Sequence, residues 1–338
     1  MPQTTPTPDE LETAGPNAWL IDEMRERWQH DPESVGESWR DFFSGSTPMN
    51  GHAVVSSPAA APTPPAPAAP AAPASAPESR ATTPGTSPAT TPSAPIAPRA
   101  PAAAEPLRGA AARIVTNMEA SLAVPTATSF REVATKLLEV NRKSINGYLS
   151  RSRAGKVSFT HLIGYAVVRA IVDAVPAMNS TFVTDADGKP CVIRNEHLGL
   201  GLAVDVEKAG GRTLLVPCIS AADTLDFAGF FDAYETIIRK VRSNTLSPDD
   251  FAGVTVTLTN PGTIGTVQSV PRLMPGQGVI VGVGSLDHPT AFRGADPATI
   301  AALGLSRVMT ITSTYDHRII QGAESGLFLK HVQELLMG

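Results

Sequence analysis

The sequence predicts an α/β protein, one mixed sheet with helices packed on it, preceded by a disordered Ala/Pro-rich linker. Two observations predict it. Over residues 107–338, segments with apolar residues at spacings of three and four alternate with short runs rich in β-branched residues. Ahead of them lies a long Ala/Pro/Ser/Thr stretch with too few large apolar side chains to offset the entropy of ordering. The chain has 338 residues and 31 prolines, concentrated in that stretch, which fits one ordinary domain and a tether rather than two domains.

Taken in order, residues 1–13 are polar and Pro-rich and read as disordered. In residues 14–43, Trp19, Leu20, Met24 and Trp28 recur at helical spacing, Asp31-Pro32 breaks the helix, and Val35, Trp39, Phe42 and Phe43 form a second amphipathic segment. All three tryptophans of the chain lie here. So short a segment cannot bury them alone, which implies a partner surface; the other reading is a helical hairpin packed on its own chain. Residues 44–106 read as a stiff linker, able to span roughly 190 Å at about 3.1 Å per residue.

The domain occupies 107–338. Ser129-Phe130-Arg131-Glu132 fits a capping box, and Phe130, Val133, Leu137, Leu138, Ile145 and Leu149 predict a helix of about five turns behind it. A basic loop follows (Arg151, Arg153, Lys156), either solvated or touching an anionic ligand. Then VSFTHLIGYAVVRAIVDAV reads as a buried helix ended by Pro176. Short strands follow at STFVTD, CVIRN, LGLGLAVDVE and TLLVPCIS, with turns at Asp187-Gly188 and Gly210-Gly211. Leu225–Val241 reads as an amphipathic helix, with strands near Val254–Thr259, Val279–Val283 and Val308–Tyr315 and a last helix from Gly322.

Two stretches carry chemistry. Between the strand ending at Tyr315 and the last helix sits Asp316-His317-Arg318, which holds an imidazole at a rigid junction open to a substrate. His317 is therefore the candidate proton carrier; the other six histidines read as packed or surface residues. In VTVTLTNPGTIGT a strand runs into the turn Thr259-Asn260-Pro261-Gly262, placing the Thr259 hydroxyl at a strand end. The run containing Gly282 and Gly284 has Asp287 at the third glycine position of a dinucleotide fingerprint, and no phosphate-binding G-x-x-x-x-G-K-[ST] loop occurs.

Composition narrows the classes further. A net charge of −5 gives no reason to expect nucleic acid or an anionic membrane as partner. Cys191 and Cys218 lack metal-ligand spacing and read as two reduced, buried thiols of a cytoplasmic protein, with no metal site. No apolar run reaches membrane-spanning length and no export signal opens the sequence.

The motif DHRIIQG resembles the D-H-R-x-x-D-G motif of the acyltransferase components of 2-oxoacid dehydrogenase complexes, relatives of the chloramphenicol acetyltransferases. Asp316, His317, Arg318 and Gly322 match; Gln321 stands where the family has Asp. The resemblance covers roughly 107–338, opening with PLRGAAARIVTNMEASLAVPTAT. It implies a chloramphenicol-acetyltransferase-like fold, trimers with active sites between subunits, and coenzyme A and dihydrolipoamide as substrates. It also implies His317 as base and Thr259, in the family's [ST]-N-x-G turn with Asn260, as oxyanion donor. The motif's Asp makes a structural salt bridge in the family, and Gln can keep its hydrogen bond but not its charge.

The 14–43 segment resembles the N-terminus of 2-oxoglutarate dehydrogenase. Ala/Pro linkers in the acyltransferases usually carry a lipoyl domain, but none, and no Asp-Lys hairpin turn, precedes residue 105. The combination resembles actinobacterial fused enzymes in which a succinyltransferase domain precedes a thiamine-dependent decarboxylase. The implied partners are further copies of the chain, a lipoyl-bearing component and dihydrolipoamide dehydrogenase. Thiamine diphosphate and Mg would belong only to a decarboxylase part, absent after Met337-Gly338, so the chain reads as a truncated piece. The rival readings are a non-catalytic trimeric scaffold, with Gln321 marking a degenerate site, and a free-standing antibiotic acetyltransferase. Asp316 before the His disfavours the latter.

Overall fold

The computed structural model describes residues 18–44, 106–107, 110–152, 155–208 and 211–338. The stretches read as disordered, 1–13 and nearly all of 44–106, lie outside the described residues, as does Arg153 of the basic loop.

The chain forms helices α1 (Ala18–His30) and α2 (Glu37–Ser44), then α3 (Ala110–Ser121), strand β1 (Thr126–Ala134), α4 (Lys136–Ser152) and α5 (Phe159–Asp173). Strands β2 (Ser180–Thr184), β3 (Pro190–Arg194), β4 (Leu200–Lys208), β5 (Gly211–Leu215) and β6 (Cys218–Ile219) follow. The remainder is α6 (Phe227–Ser243), β7 (Val256–Thr259), β8 (Val279–Val283), α7 (Pro297–Ala302), β9 (Val308–Asp316) and α8 (Gly322–Met337). The order across the main sheet is β1-β9-β8-β7-β4-β5, with β6 also on β4, while β2 and β3 form a separate hairpin. β4, β7 and β8 run parallel, and β9 is antiparallel to both β8 and β1. This is the expected mixed sheet with packed helices.

The core lies between one face of the sheet and helices α5, α6 and α8. Ile163, Val167 and Ile171 of α5, Phe230 of α6 and Phe328, Leu329 and Val332 of α8 pack on Leu200, Leu258, Val281 and Ile311. Strand alternation sends Thr310, Thr312 and Thr314 of β9 to the other face, where they are also buried. There the loop after β7 lies so close that a Cβ on Gly282 would stand 3.2 Å from the Ser269 hydroxyl.

Four expectations need correction. Residues 126–134 are a strand, not the first turns of a helix: β1 pairs with β9 over its whole length, Phe130 opposite Thr312 and Val133 opposite Met309. The helix starts at Lys136, with Thr135 donating from its hydroxyl to Glu139 Oε1 at 2.8 Å. A buried antiparallel partner outweighs a local capping match, and the β-branched run TATSF suits the pleat.

Second, the TLLVPCIS run is two strands, because Pro217 has no N–H to give to a ladder. Third, Cys191 is exposed on β3; only Cys218 is buried, its thiol pushed up to about 12 by burial and so inert.

Fourth, the aromatic N-terminal segment packs on its own chain. Leu20, Ile21, Met24, Val35 and Trp39 form one cluster with Leu215, Val241, Leu246 and Phe251, and the Trp39 indole donates to the Leu246 carbonyl at 2.8 Å. Trp28, Phe42 and Phe43 close over it.

Candidate active site

The two stretches singled out in the sequence follow strands β7 and β9 of one sheet, at opposite ends of it. β9 is buried along its length, and its last amides are tied down on both sides. The Asp316 N–H donates to the Gly278 carbonyl (3.0 Å) and the His317 N–H to the Pro125 carbonyl (2.9 Å). The chain then turns back: Ile319 and Ile320 both donate to the Asp316 carbonyl, and Ile320 is fully buried.

Asp316, 2% exposed, is neutralised by Arg318. The guanidinium donates from Nε to Oδ1 (2.9 Å) and from Nη2 to Oδ2 (2.6 Å), a bidentate geometry lysine cannot reproduce. Arg318 also lies 3.7 Å from the centroid of the Phe182 ring on β2. The Arg side chain thus ties the turn to the β2–β3 hairpin. His317 itself is exposed, with its ring 5.4 Å from that of Tyr315. No hydrogen bond joins its ring nitrogens to another described residue, which leaves them available to take up and return a proton.

Gln321 caps α8: its N–H donates to the Glu324 carboxylate at 2.6 Å. The side chain that replaces the family's Asp is exposed, and the carboxylate at the helix start comes from Glu324 instead. A Cβ on Gly322 would meet only the Tyr315 hydroxyl, at an ordinary 3.5 Å.

At the other stretch, β7 ends at Thr259, level with Ala203 of β4 and Gly282 of β8. The next residues make a tight turn, Pro261–Ile264, that needs Gly262. A Cβ there would fall 2.3 Å from the Gly284 backbone. The Asn260 amide donates to Thr160 Oγ1 at 2.9 Å, fastening the turn to the start of α5. Thr259 is half-buried, and its hydroxyl has no hydrogen-bond partner among the described residues.

The sheet register fixes how far apart these groups stand. Thr259 is level with Gly282, and Gly282 pairs with Thr312, five residues before His317 on a strand running the opposite way. That is about 16 Å along the strands and about 10 Å across them. Within one chain, His317 and Thr259 therefore cannot act on the same carbonyl.

Of the basic loop, Arg151 closes α4 and Lys156 is exposed; neither lies in the two turns. Two neighbours had no sequence signal: Thr160 and Phe182 are ordinary helix and strand residues until the fold brings them to the turns. No cluster of metal-ligating residues occurs among the described residues, and no helix there is long and apolar enough to cross a membrane.

Comparison with known proteins gives the family of the chain and relatives of its fold. Residues 100–338 match the family described as 2-oxoacid dehydrogenases acyltransferase (catalytic domain), and residues 13–50 match the 2-oxoglutarate dehydrogenase N-terminus. A multifunctional 2-oxoglutarate metabolism enzyme of Mycolicibacterium vanbaalenii is 50% identical over 347 aligned residues, covering 96% of this chain and 28% of the relative. A 2-oxoglutarate dehydrogenase E1/E2 component of Corynebacterium glutamicum is 47% identical over 96% of this chain and 27% of its own length. The chain thus spans less than a third of these relatives. Among solved structures, a probable dihydrolipoamide acetyltransferase of Listeria monocytogenes shares the fold, with TM-score 0.58, 23% identity and coverage of 69% of this chain and 93% of that one. The cubic core of a pyruvate dehydrogenase multienzyme complex does so too, with TM-score 0.58, 24% identity and coverage of 73% and 96%.

Proposed function

The chain belongs to the acyltransferase catalytic-domain family of the 2-oxoacid dehydrogenases, and from that premise we propose that it moves succinyl groups between dihydrolipoyl thiols and coenzyme A. His317 acts as general base and Thr259 as oxyanion donor, each from a different copy of the chain. The observation that carries this reading is the pairing of two unengaged groups, an imidazole and a hydroxyl, each on a turn held from several sides.

A neutral His317 takes the proton of the attacking thiol. The thiolate adds to the thioester carbonyl, and the Thr259 hydroxyl donates to the resulting oxyanion, a contribution of about 3–4 kcal/mol in comparable sites. Collapse of the tetrahedral species expels the second thiolate, which recovers the proton from His317. The bonds made and broken are one carbon–sulfur bond each, and no electrons are transferred.

Because one chain separates His317 from Thr259, the working site needs a second copy, in keeping with a trimeric core. The Ala/Pro stretch 44–106 serves as tether, and 14–43 as a fixed cap on the acyltransferase domain 107–338. The succinyl specificity rests on the 2-oxoglutarate relatives. So do the partners: a lipoyl-bearing component, dihydrolipoamide dehydrogenase and a decarboxylase part using thiamine diphosphate and Mg. The Glu324 carboxylate on the Gln321 amide closes the turn without the family's Asp, which favours catalysis over the scaffold reading. Succinyl transfer from succinyl-coenzyme A to free dihydrolipoamide is expected for the wild type and weaker transfer from acetyl-coenzyme A. A well-folded oligomer with no turnover would establish the scaffold instead.

A further inference from the structure

An oxyanion donor works only if its hydroxyl is held to within a fraction of an ångström, so what holds Thr259 matters as much as Thr259 itself. Its strand is secured by β4 and β8 up to residue 259, and there the ladder ends. Asn260 follows with φ −124° and ψ 72°, outside the helix and strand regions. It precedes a tight turn, where an Asn side chain ordinarily caps the first amides. Here it makes no capping bond. Its Nδ2 donates instead to Thr160 Oγ1 at 2.9 Å, 100 residues away in sequence.

The acceptor is rigid for reasons of its own. Thr160 lies in the first turn of α5, whose start is closed by Ser158 and His161. The Ser158 N–H donates to His161 Nδ1 (2.8 Å), and the His161 N–H to the Ser158 hydroxyl (3.3 Å). His161 is 2% exposed, and its Nε2 faces Glu235 Oε1 at 3.1 Å. Burial holds the imidazole below its ordinary value, with Glu235 opposing, so it adds no charge at this junction near neutral pH. The Tyr234 ring packs edge-on against His161, with 4.1 Å between ring centroids.

We propose that Thr160 is a positioning residue for the Thr259 oxyanion donor, acting through the Asn260 side chain. This rests on the acyltransferase reading above. Thr160 touches no reacting atom; its hydroxyl sets the angle at which the chain leaves β7, and with it the direction of the Thr259 hydroxyl.

The test is a double-mutant cycle on the 338-residue chain, with succinyl-coenzyme A and dihydrolipoamide as substrates. Thr160→Val, which keeps the shape and removes the acceptor, is expected to lower kcat about ten- to hundredfold with KM for either substrate little changed. Thr160→Ser is expected to restore most of the rate. In a Thr259→Ala background, Thr160→Val is expected to cost nothing further, because the group it positions is gone. Asn260→Ala, which removes the donor without touching α5, must show the same loss of additivity and keeps the test valid should Thr160→Val fold poorly. Losses that multiply in the double variants, or a full rate in both Asn260→Ala and Thr160→Val beside an impaired Thr259→Ala, would overturn the proposal. A Thr259→Ala enzyme at the wild-type rate would overturn the assignment of Thr259 itself, and this inference with it.

Discussion

The two turns at opposite ends of the sheet solve one problem by different physics. The Thr259 turn is held by close backbone approach and neutral hydrogen bonds: Gly262 against Gly284, and the Asn260 amide on Thr160. The His317 turn is held by charge, with buried Asp316 against the Arg318 fork and Arg318 over Phe182. The roles assigned to them explain the difference. A hydroxyl donor needs only a fixed direction. A base must gain and lose a proton, and the bidentate Asp316–Arg318 pair fixes its turn without bonding to the imidazole. The comparison teaches that the reactive groups are the ones left without partners, while each neighbour is fully engaged.

The largest expected effect breaks the charged turn at its centre. His317→Ala should reduce succinyl transfer at least a hundredfold while leaving the fold intact, as judged by circular dichroism and oligomer size. Trp39→Ala serves as the outside control. It removes a 4% exposed indole from the N-terminal cluster and should cost about 3–5 kcal/mol in urea unfolding, with kcat unchanged in the enzyme that remains folded. Arg318→Ala leaves Asp316 buried without its counter-charge and should cost about 3 kcal/mol together with activity. Arg318→Lys should recover the charge but not the fork or the ring contact, giving an intermediate loss in both assays.

The smallest effect concerns pH. Burial alone would raise the Glu139 carboxyl, but Arg307 and Thr135 outweigh it and hold it below its ordinary 4.5. A carboxyl depressed in the folded state stabilises above its unfolded pKa, and the contribution is lost as pH falls through the folded value. Glu139→Gln should therefore lower the unfolding free energy slightly near neutral pH, by less than about 1 kcal/mol, and flatten the decline of Tm below about pH 4.5. An unchanged acid limb would show that the Glu139–Arg307 pair contributes nothing.

Much of this was legible in the sequence because the signals are local. The strand-to-helix junction at Asp316–Gly322 and the Thr259–Gly262 turn each declare themselves within a few residues. So does the buried helix α5, whose predicted end is close to the observed Asp173. What failed depended on distant partners. TATSFREVA reads as a helix start until β9 supplies the other half of its ladder. The Trp39 segment reads as partner-seeking until residues 215, 241, 246 and 251 are brought under it. Cys191 sits in an apolar run, yet the β2–β3 hairpin stands apart from the main sheet and leaves it exposed. The separation of His317 from Thr259 is likewise invisible without the register, since either order of strands would satisfy the motifs.

Subunit complementation probes that separation. His317→Ala and Thr259→Ala chains, each nearly inactive, would be unfolded together, refolded as a mixture and assayed for succinyl transfer. If every site takes its imidazole from one copy and its hydroxyl from another, random assembly should regain about a quarter of the wild-type activity. A mixture no more active than the two variants assayed separately would mean that a single chain holds both groups, and would contradict the account.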